Sequence, residues 1–248
     1  MPAVFVHGNP ECDAIWDPMR EHLVRKDVVT LSPPGFGAPV PPGFGATSDE
    51  YVSWLAGELG RIQGPVDLVG HDWGGGHVMR LACTRPELIR SWAMDIGGCF
   101  DPEYVWHDMA QVWQTPTAGE EAVAGMAGAP VEARTAQFES LGMTKVVAGK
   151  VAAAVNEEMG RCILALYRSA AQPAMGEWGK LLPQAAARPG LVIIPTGDHY
   201  TGGETLARRS AERAKARVAV LQDRGHWWMC EDPAQGAKAL HDFWASLA

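Results

Sequence analysis

An aspartate stands in the middle of the stretch VDLVGHDWGGGH, residues 66–77, which reads as a strand, a glycine-spaced turn and a helix start. This pattern places Asp72 in the turn between the strand and the helix. A carboxylate has a reference pKa of about 3.9, so it is ionised at neutral pH and needs no base to become a nucleophile. Attack on an ester would give an unstable anhydride. The chemistry that suits Asp72 is therefore displacement at a saturated carbon.

Such a displacement would leave an alkyl ester on Asp72, which water must then remove. His226 follows the final apolar run, in the sequence RGHWW, and is a candidate general base toward that water. The base needs an acid that fixes its tautomer and stabilises the imidazolium. Asp198 in IIPTGDHY and Asp95 in AMDIGG both follow apolar runs and are the two candidates.

Apolar runs and helical patterns alternate along the chain, and these elements must position the candidate groups. Apolar runs without polar interruptions are typical of strands buried on both faces. Helical patterns lie between several of them, at 48–62 and 75–89, which predicts a mostly parallel sheet with helices on both faces. About six strands are expected, in the segments 3–8, 27–37, 66–72, 89–98, 190–198 and 217–226.

One region interrupts this alternation. Residues 100–182 contain Ala-rich, Met-rich and Trp-containing helical patterns and no convincing strand. Because the sheet must resume near Leu191, we expect this region to be a helical lid inserted into one α/β core. The core would then be formed by residues 1–99 and 183–248.

Three motifs occur in a fixed order, HGNP at 7–10, GHDWGG at 70–75 and GHWWMCEDP at 225–233. Together they resemble the α/β-hydrolase superfamily over nearly the whole chain. An aspartate followed by a tryptophan in the second motif is similar to the branch that contains epoxide hydrolases and haloalkane dehalogenases. In that fold the first strand here would be the third, so the resemblance implies that the usual N-terminal antiparallel hairpin is missing.

The resemblance implies roles for the residues already singled out. Asp72 corresponds to the nucleophile and His226 to the general base. Asp198 occupies the usual acid position of the superfamily and is favoured, whereas Asp95 stands where some dehalogenases place their acid. The backbone N–H groups of Trp73 and Asn9 would stabilise the oxyanion that forms during ester hydrolysis.

The leaving group separates two activities. Tyr167 in LYRSA resembles the lid tyrosine with which epoxide hydrolases protonate the departing alkoxide, and Tyr104 is the candidate for a second one. Asn9 and Trp73 match the pair of side-chain N–H donors that dehalogenases use for the halide. We favour an epoxide hydrolase, with a haloalkane dehalogenase and a non-catalytic ligand-binding protein as alternatives.

The formal net charge of −8 and the isoelectric point near 5.5 argue against nucleic-acid or anionic-membrane partners. A small uncharged organic substrate is expected, while the oligomeric state is left open. Five scattered cysteines without a CxxC pair and the lack of a targeting signal favour the cytoplasm. No cofactor or metal is expected, because the glycines of GGGH do not form GxGxxG and no HExxH is present.

Overall fold

The computed structural model describes residues 1–247. Its centre is a six-stranded sheet with the spatial order β2-β1-β3-β4-β5-β6, in which every neighbouring pair is parallel. The fold class predicted from the sequence is therefore confirmed. The strands are β1 Ala3–Val6, β2 Val28–Leu31, β3 Val66–Gly70, β4 Ile89–Met94, β5 Gly190–Pro195 and β6 Arg217–Leu221.

Twelve α-helices accompany the sheet in the described residues. They are α1 Asp17–His22, α2 Ser48–Gly60, α3 Trp73–Thr84, α4 Asp108–Gln114, α5 Ala118–Gly128, α6 Val131–Ser140, α7 Lys145–Ala154, α8 Glu157–Ser169, α9 Ala174–Gly179, α10 Gly203–Arg213, α11 Trp228–Glu231 and α12 Pro233–Ala245. Among the core helices, α1 packs against α12 and α2 packs against α3. Within residues 1–247 no helix is both long and apolar enough to cross a membrane.

The apolar runs of the sequence become the buried centre of the sheet. Every residue of β1, β3 and β5 is buried, whereas the edge strands β2 and β6 are partly exposed. All six strands point in one direction, so the loops that follow them meet at one edge of the sheet. The candidate residues lie in those loops, at Asn9 after β1, Asp72 after β3, Asp95 after β4, Asp198 after β5 and His226 after β6.

The helix α3 differs in extent from the helix predicted over 75–89. It begins two residues earlier, at Trp73, directly after the turn residue Asp72. It ends at Thr84, because Arg85 precedes Pro86 and leaves the helical region with φ −137° and ψ 50°. The residue before a proline is sterically disfavoured in the helical conformation. The chain then enters β4 at Ile89.

Residues 100–182, which we call the lid segment, contain the six helices α4 to α9 and no strand. Helix α8 packs against both α4 and α5, and α6 packs against α7. The buried side of α8 carries Ile163, Leu164 and Tyr167. This packing turns the phenol of Tyr167 away from solvent and toward the loops at the strand ends.

The loop after β1 and the start of α3 approach each other without room for a side chain. A Cβ added at Gly74 would lie 2.2 Å from the carbonyl oxygen of Val6. Contacts this short cannot be relieved by a side-chain rotation, because the neighbouring atom belongs to the backbone of a buried strand. Gly74 is therefore required for α3 to start this close to β1.

Gly74→Ala is expected to lower the free energy of unfolding by about 1–3 kcal/mol, as overpacking of a well-packed site does. Gly57→Ala is the matched control, because Gly57 lies inside α2 and a Cβ there meets nothing within 4 Å. That change is expected to raise the free energy of unfolding by about 0.5–1 kcal/mol. Urea denaturation of both variants measures the effects, and equal signs would contradict the packing argument.

Candidate active site

The turn between β3 and α3 holds Asp72 in an unusual backbone conformation, with φ 50° and ψ −128°. A non-glycine residue with positive φ costs about 1–3 kcal/mol, so the surrounding structure must impose this turn. One restraint is visible, because the backbone N–H of Asp72 donates to Oδ1 of Asp95 at 3.0 Å. The carboxylate consequently stands between the loop after β1 and the loop after β6.

Two groups face the Asp72 carboxylate. Its Oδ1 accepts a hydrogen bond from the backbone N–H of Asn9 at 3.0 Å, and its Oδ2 lies 3.7 Å from Nε2 of His226. Burial raises the pKa of Asp72 above its ordinary value, although the charge of His226 and the Asn9 N–H oppose this shift. The distance to His226 exceeds that of a hydrogen bond, so the ring nitrogen is not bonded to the carboxylate.

His226 is oriented from its other side. Its Nδ1 lies 2.8 Å from Oδ2 of Asp198, whose Oδ1 accepts from the backbone N–H of Tyr200 at 2.7 Å. Burial by itself would lower the pKa of His226, but the charge and hydrogen bond of Asp198 raise it above the ordinary value. Burial would likewise raise the pKa of Asp198, and the His226 charge lowers it instead. The Nε2 atom of His226 is left facing Asp72.

Asp95 lies elsewhere in the site. Its Oδ2 is 2.5 Å from Nδ1 of His71 and accepts from the indole N–H of Trp228 at 2.8 Å. Together with the bond from the Asp72 N–H, these contacts occupy both carboxylate oxygens of Asp95. The structure therefore places Asp198, and not Asp95, against His226, and Asp95 lies under the turn at Asp72.

A second buried carboxylate, that of Glu11, contacts the other ring nitrogen of His71. Oε1 of Glu11 is 3.0 Å from Nε2 of His71, and its Oε2 accepts from the backbone N–H of Gly8 at 3.1 Å. Burial alone would lower the pKa of His71, but Asp95 and Glu11 raise it well above the ordinary value. His71 is thus an imidazolium that donates to a carboxylate at each ring nitrogen. It links the turn at Asp72, through Asp95, to the loop after β1, through Glu11.

Neither Glu11 nor His71 is among the candidate site residues predicted from the sequence. The signal available was the carboxylate that directly follows HGNP, but a sequence does not show that this side chain turns inward. Glu11, His71 and His226 are also the one group of three metal-type ligands detected in the described residues, with atoms within 4.8 Å. The positive charge in this group is already supplied by the protonated His71 ring, which is ion-paired with Glu11.

The part of the site around Tyr167 is aromatic and carries N–H and O–H donors. Tyr167 is buried, and its pKa lies well above 10 because of burial and the Asp72 charge, although Asn9 and Trp73 oppose this shift through their side-chain N–H groups. The phenol is therefore protonated at neutral pH. The amide nitrogen and oxygen of Asn9 are buried and find no partner within residues 1–247. Asn9, Trp73 and Tyr167 thus lie together beside Asp72, with their donor groups close to one another.

Two further aromatic residues border this wall. Trp106 stacks on Trp73 with ring centroids 5.9 Å apart, and its buried indole N–H has no partner in the described part of the chain. The hydroxyl of Tyr104 donates to the carbonyl of Tyr200 at 2.9 Å. Tyr104 lines the same small chamber as Tyr167, but its proton is engaged by the backbone.

Two cavities meet at Asp72. The small chamber holds about 20 Å³, which is room for a single water molecule, and lies among the aromatic residues. The larger cavity, of about 510 Å³, extends under the lid segment. Its walls include residues that the sequence did not indicate, among them His107, Arg134 and Tyr200, together with Trp113, Met126 and Phe138. Burial, followed by the charge of His226, lowers the pKa of His107 to about 4, so this ring is neutral.

The family model described as the alpha/beta hydrolase family matches residues 3–239 of the chain. The chain belongs to the alpha/beta hydrolase family. A curated relative of this hydrolase is the (E)-2-((N-methylformamido)methylene)succinate hydrolase of Acinetobacter baylyi, which is 28% identical over 95 residues. That match covers 38% of this chain and only 36% of the relative, so the chain spans about a third of its length.

Solved structures resemble the hydrolase over almost its whole length. A loop variant of a haloalkane dehalogenase from Bradyrhizobium elkanii has a TM-score of 0.73 at 20% identity, covering 100% of this chain and 91% of the other. A thermophilic esterase from Thermogutta terrifontis, with malate bound, has a TM-score of 0.73 at 20% identity and coverages of 100% and 90%. At such identities these likenesses show a shared fold.

His71 is expected to keep both ring protons at pH 8, because its pKa lies well above the ordinary value of about 6.5. Since the pKa is raised on folding, its stabilising contribution is complete below the unfolded pKa and is lost as pH rises through the folded one. Nitrogen-15 NMR of the imidazole ring distinguishes imidazolium from neutral tautomers. The exposed His22 serves as the control, and a neutral His71 ring at pH 8 would contradict the ion-paired assignment.

Proposed function

We propose that this hydrolase uses Asp72 as a nucleophile and that it converts epoxides to vicinal diols. The observation that carries the proposal is the position of the Asp72 carboxylate. It stands between the Asn9 N–H, the His226–Asp198 pair and the protonated phenol of Tyr167. These are the groups that an aspartate ester needs for its formation and for its removal.

In the first step, Oδ2 of Asp72 attacks an epoxide carbon from the large cavity, and the carbon–oxygen bond on that carbon breaks. The oxygen that leaves stays tethered to the substrate as an alkoxide and takes the phenol proton of Tyr167. The high pKa of this buried phenol means that it carries the proton at neutral pH. The phenolate regains its proton after the second step. There the bond between the Asp72 carboxyl carbon and the substrate oxygen breaks, that oxygen takes the remaining proton of the added water, and the proton held by His226 passes to the phenolate.

In the second step, His226 removes a proton from water, which attacks the carboxyl carbon of Asp72. The charge on Oδ1 in the resulting oxyanion faces the Asn9 N–H, and the N–H of Trp73 is also free of a helical partner because Trp73 begins α3. Esterification removes the Asp72 charge, which contributes to the raised pKa of His226. The pKa of His226 therefore falls when the ester forms, and the ring becomes a base when it is needed.

A haloalkane dehalogenase is the second candidate, and the unpartnered side chain of Asn9 favours it. The amide N–H of Asn9 and the indole N–H of Trp73 lie on the wall opposite His226 and could stabilise a departing halide. The similar Bradyrhizobium elkanii structure is a haloalkane dehalogenase. Both candidates share the ester on Asp72 and its hydrolysis, and they differ in the donor that receives the leaving group.

The ester is expected to accumulate when the base is removed. In His226→Gln, alkylation of Asp72 should proceed while hydrolysis stalls, because no group accepts the proton of water. Mass spectrometry of the peptide that carries Asp72 should show the mass of the added epoxide, for example after incubation with 1,2-epoxyhexane or styrene oxide. His22→Gln, a surface change, is the control and should turn over normally. Absence of an adduct, with hydrolysis continuing in His226→Gln, would refute the two-step mechanism.

The leaving-group donor is tested by three variants in pre-steady-state alkylation. If epoxides are the substrates, Tyr167→Phe should slow alkylation by about 10²-fold or more, the usual scale for a positioned general acid. Tyr104→Phe should have little effect, because that hydroxyl is bonded to the Tyr200 carbonyl. Asn9→Ala should also matter less, since its backbone N–H remains.

The opposite order is expected for a dehalogenase. With 1-bromohexane, Asn9→Ala should then slow bromide release by about 10²-fold, the scale of losing one preorganised donor, while Tyr167→Phe changes little. A Tyr167→Phe variant with unchanged alkylation by every epoxide tested would overturn the leading assignment.

A further inference from the structure

The large cavity under the lid segment contains a buried cation. Arg134, in helix α6, is only 7% exposed and lines the same cavity as Asp72 and His226. An arginine guanidinium keeps its charge under all ordinary conditions and has five N–H donors. A charge buried in this way is costly unless an anion or several acceptors accompany it.

The structure accounts for only part of the hydrogen-bonding capacity of Arg134. Its Nη1 donates to the carbonyls of Ala127, at 2.7 Å, and Met126, at 3.3 Å, both in the last turn of α5. The Nε–H is buried and has no acceptor in residues 1–247, and no carboxylate of those residues pairs with the guanidinium. Capping α5 therefore engages Nη1 and leaves the Nε–Nη2 edge of the guanidinium without an acceptor in the described residues.

The other arginines on the lid helices differ from Arg134 in that each has a carboxylate partner. Arg168 forms a bidentate pair with Glu120, at 2.8 and 2.9 Å, and Arg161 lies near Glu158 on the surface. Both can exchange their partners with water. Arg134 instead faces a cavity whose walls are mostly apolar around it, including Met126, Phe138 and Leu141. In such surroundings the attraction between a guanidinium and an anion is stronger than in water.

The charges along the cavity also define an orientation. Asp72 repels an anionic group, whereas Arg134 attracts one at its own position. Leu141 and Gln137 line the cavity in the same part of the chain as Arg134 and are exposed, so the cavity reaches solvent there. A bound molecule with one anionic end and one reactive carbon would therefore place the anion on Arg134 and the carbon at Asp72.

We propose that the substrate carries a carboxylate, which Arg134 binds through the edge that the structure leaves unused. A carboxylate fits, because the planar guanidinium pairs with it through two parallel hydrogen bonds. This inference replaces the uncharged substrate expected from the composition. Its orientation rests on the proposed function, since it places the reactive carbon at Asp72, but carboxylate binding itself needs no turnover.

Inert probes test the binding directly. Isothermal titration calorimetry compares butanoate, hexanoate and octanoate with the alcohols of the same chain length in the wild-type protein. At least one carboxylate is expected to bind about 10-fold or more tightly than its alcohol, the scale of one charge-assisted hydrogen-bonded pair. Arg134→Met should abolish this preference. Arg134→Lys should keep part of it, because lysine retains the charge without the planar fork.

Arg161→Met controls for the loss of one positive charge and should retain the full preference. Thermal unfolding of each variant separates a lost binding site from a lost helix cap on α5. If Arg134→Met fails to fold, the wild-type comparison and Arg134→Lys still decide the matter. Equal affinity for carboxylates and alcohols in the wild type, or a preference that survives in a folded Arg134→Met, would overturn the proposal.

The outcome is independent of the proposed chemistry. Carboxylates that bind through Arg134 in a protein that opens no epoxide would contradict the proposed function and leave this inference intact. Conversely, turnover of neutral epoxides without any carboxylate preference would support the chemistry and contradict the role of Arg134.

Discussion

The positive φ of Asp72 makes β3 turn into α3 within two residues, and the other candidate residues are positioned relative to that turn. The carboxylate is directed between the loops after β1 and β6 because the backbone cannot continue in either regular structure. Close contacts without room for a Cβ, at Gly8 against Asp72 and at Gly74 against Val6, fix the approach of the β1 loop. The site is thus a consequence of backbone packing at the ends of three central strands.

Beneath the turn, a buried cation between two carboxylates keeps these loops together. His71 bonds to Asp95, which accepts from the Asp72 N–H, and to Glu11, which accepts from the Gly8 N–H. Asp72 and the loop that carries the Asn9 N–H are therefore restrained by one ion-paired network. Breaking a buried pair of this kind costs about 3–5 kcal/mol, because it leaves an uncompensated charge. The His71 charge, which holds the backbone of these loops, is thus separate from the His226–Asp198 pair, to which the proposed ester hydrolysis is assigned.

Much of this architecture could be predicted from local signals. Continuous apolar runs that end in glycine-rich turns define the parallel strands, and the strand ends then place Asp72, Asp198 and His226 at one edge. The position of Asp95 could not be separated from that of Asp198 in this way, since both follow adjacent strands. The difference arises from side-chain direction, because Asp95 points beneath the turn toward His71 and Asp198 points toward His226.

The lid segment was the least predictable part of the site. Its helices carry the residues that line the large cavity, but which face of each helix is buried depends on long-range packing that the helical periodicity does not specify. Tyr167 could be expected from the sequence around it, whereas Arg134 and His107 have no local signal. A sequence does not distinguish a buried arginine from one on the surface, or a histidine that lines a cavity from one that only caps a helix. Composition likewise indicates the net charge of the molecule and not the charge at one cavity wall.

The claim that Asp72 is the nucleophile is tested most directly by a single turnover in ¹⁸O-labelled water, with enzyme in excess over a 1,2-epoxide. The account predicts that the heavy oxygen enters the Asp72 carboxylate, so that the peptide carrying Asp72 gains its mass while the first diol formed contains none. If the heavy oxygen appears in the diol at the first turnover and the peptide stays unlabelled, water attacks the substrate directly and the account is wrong.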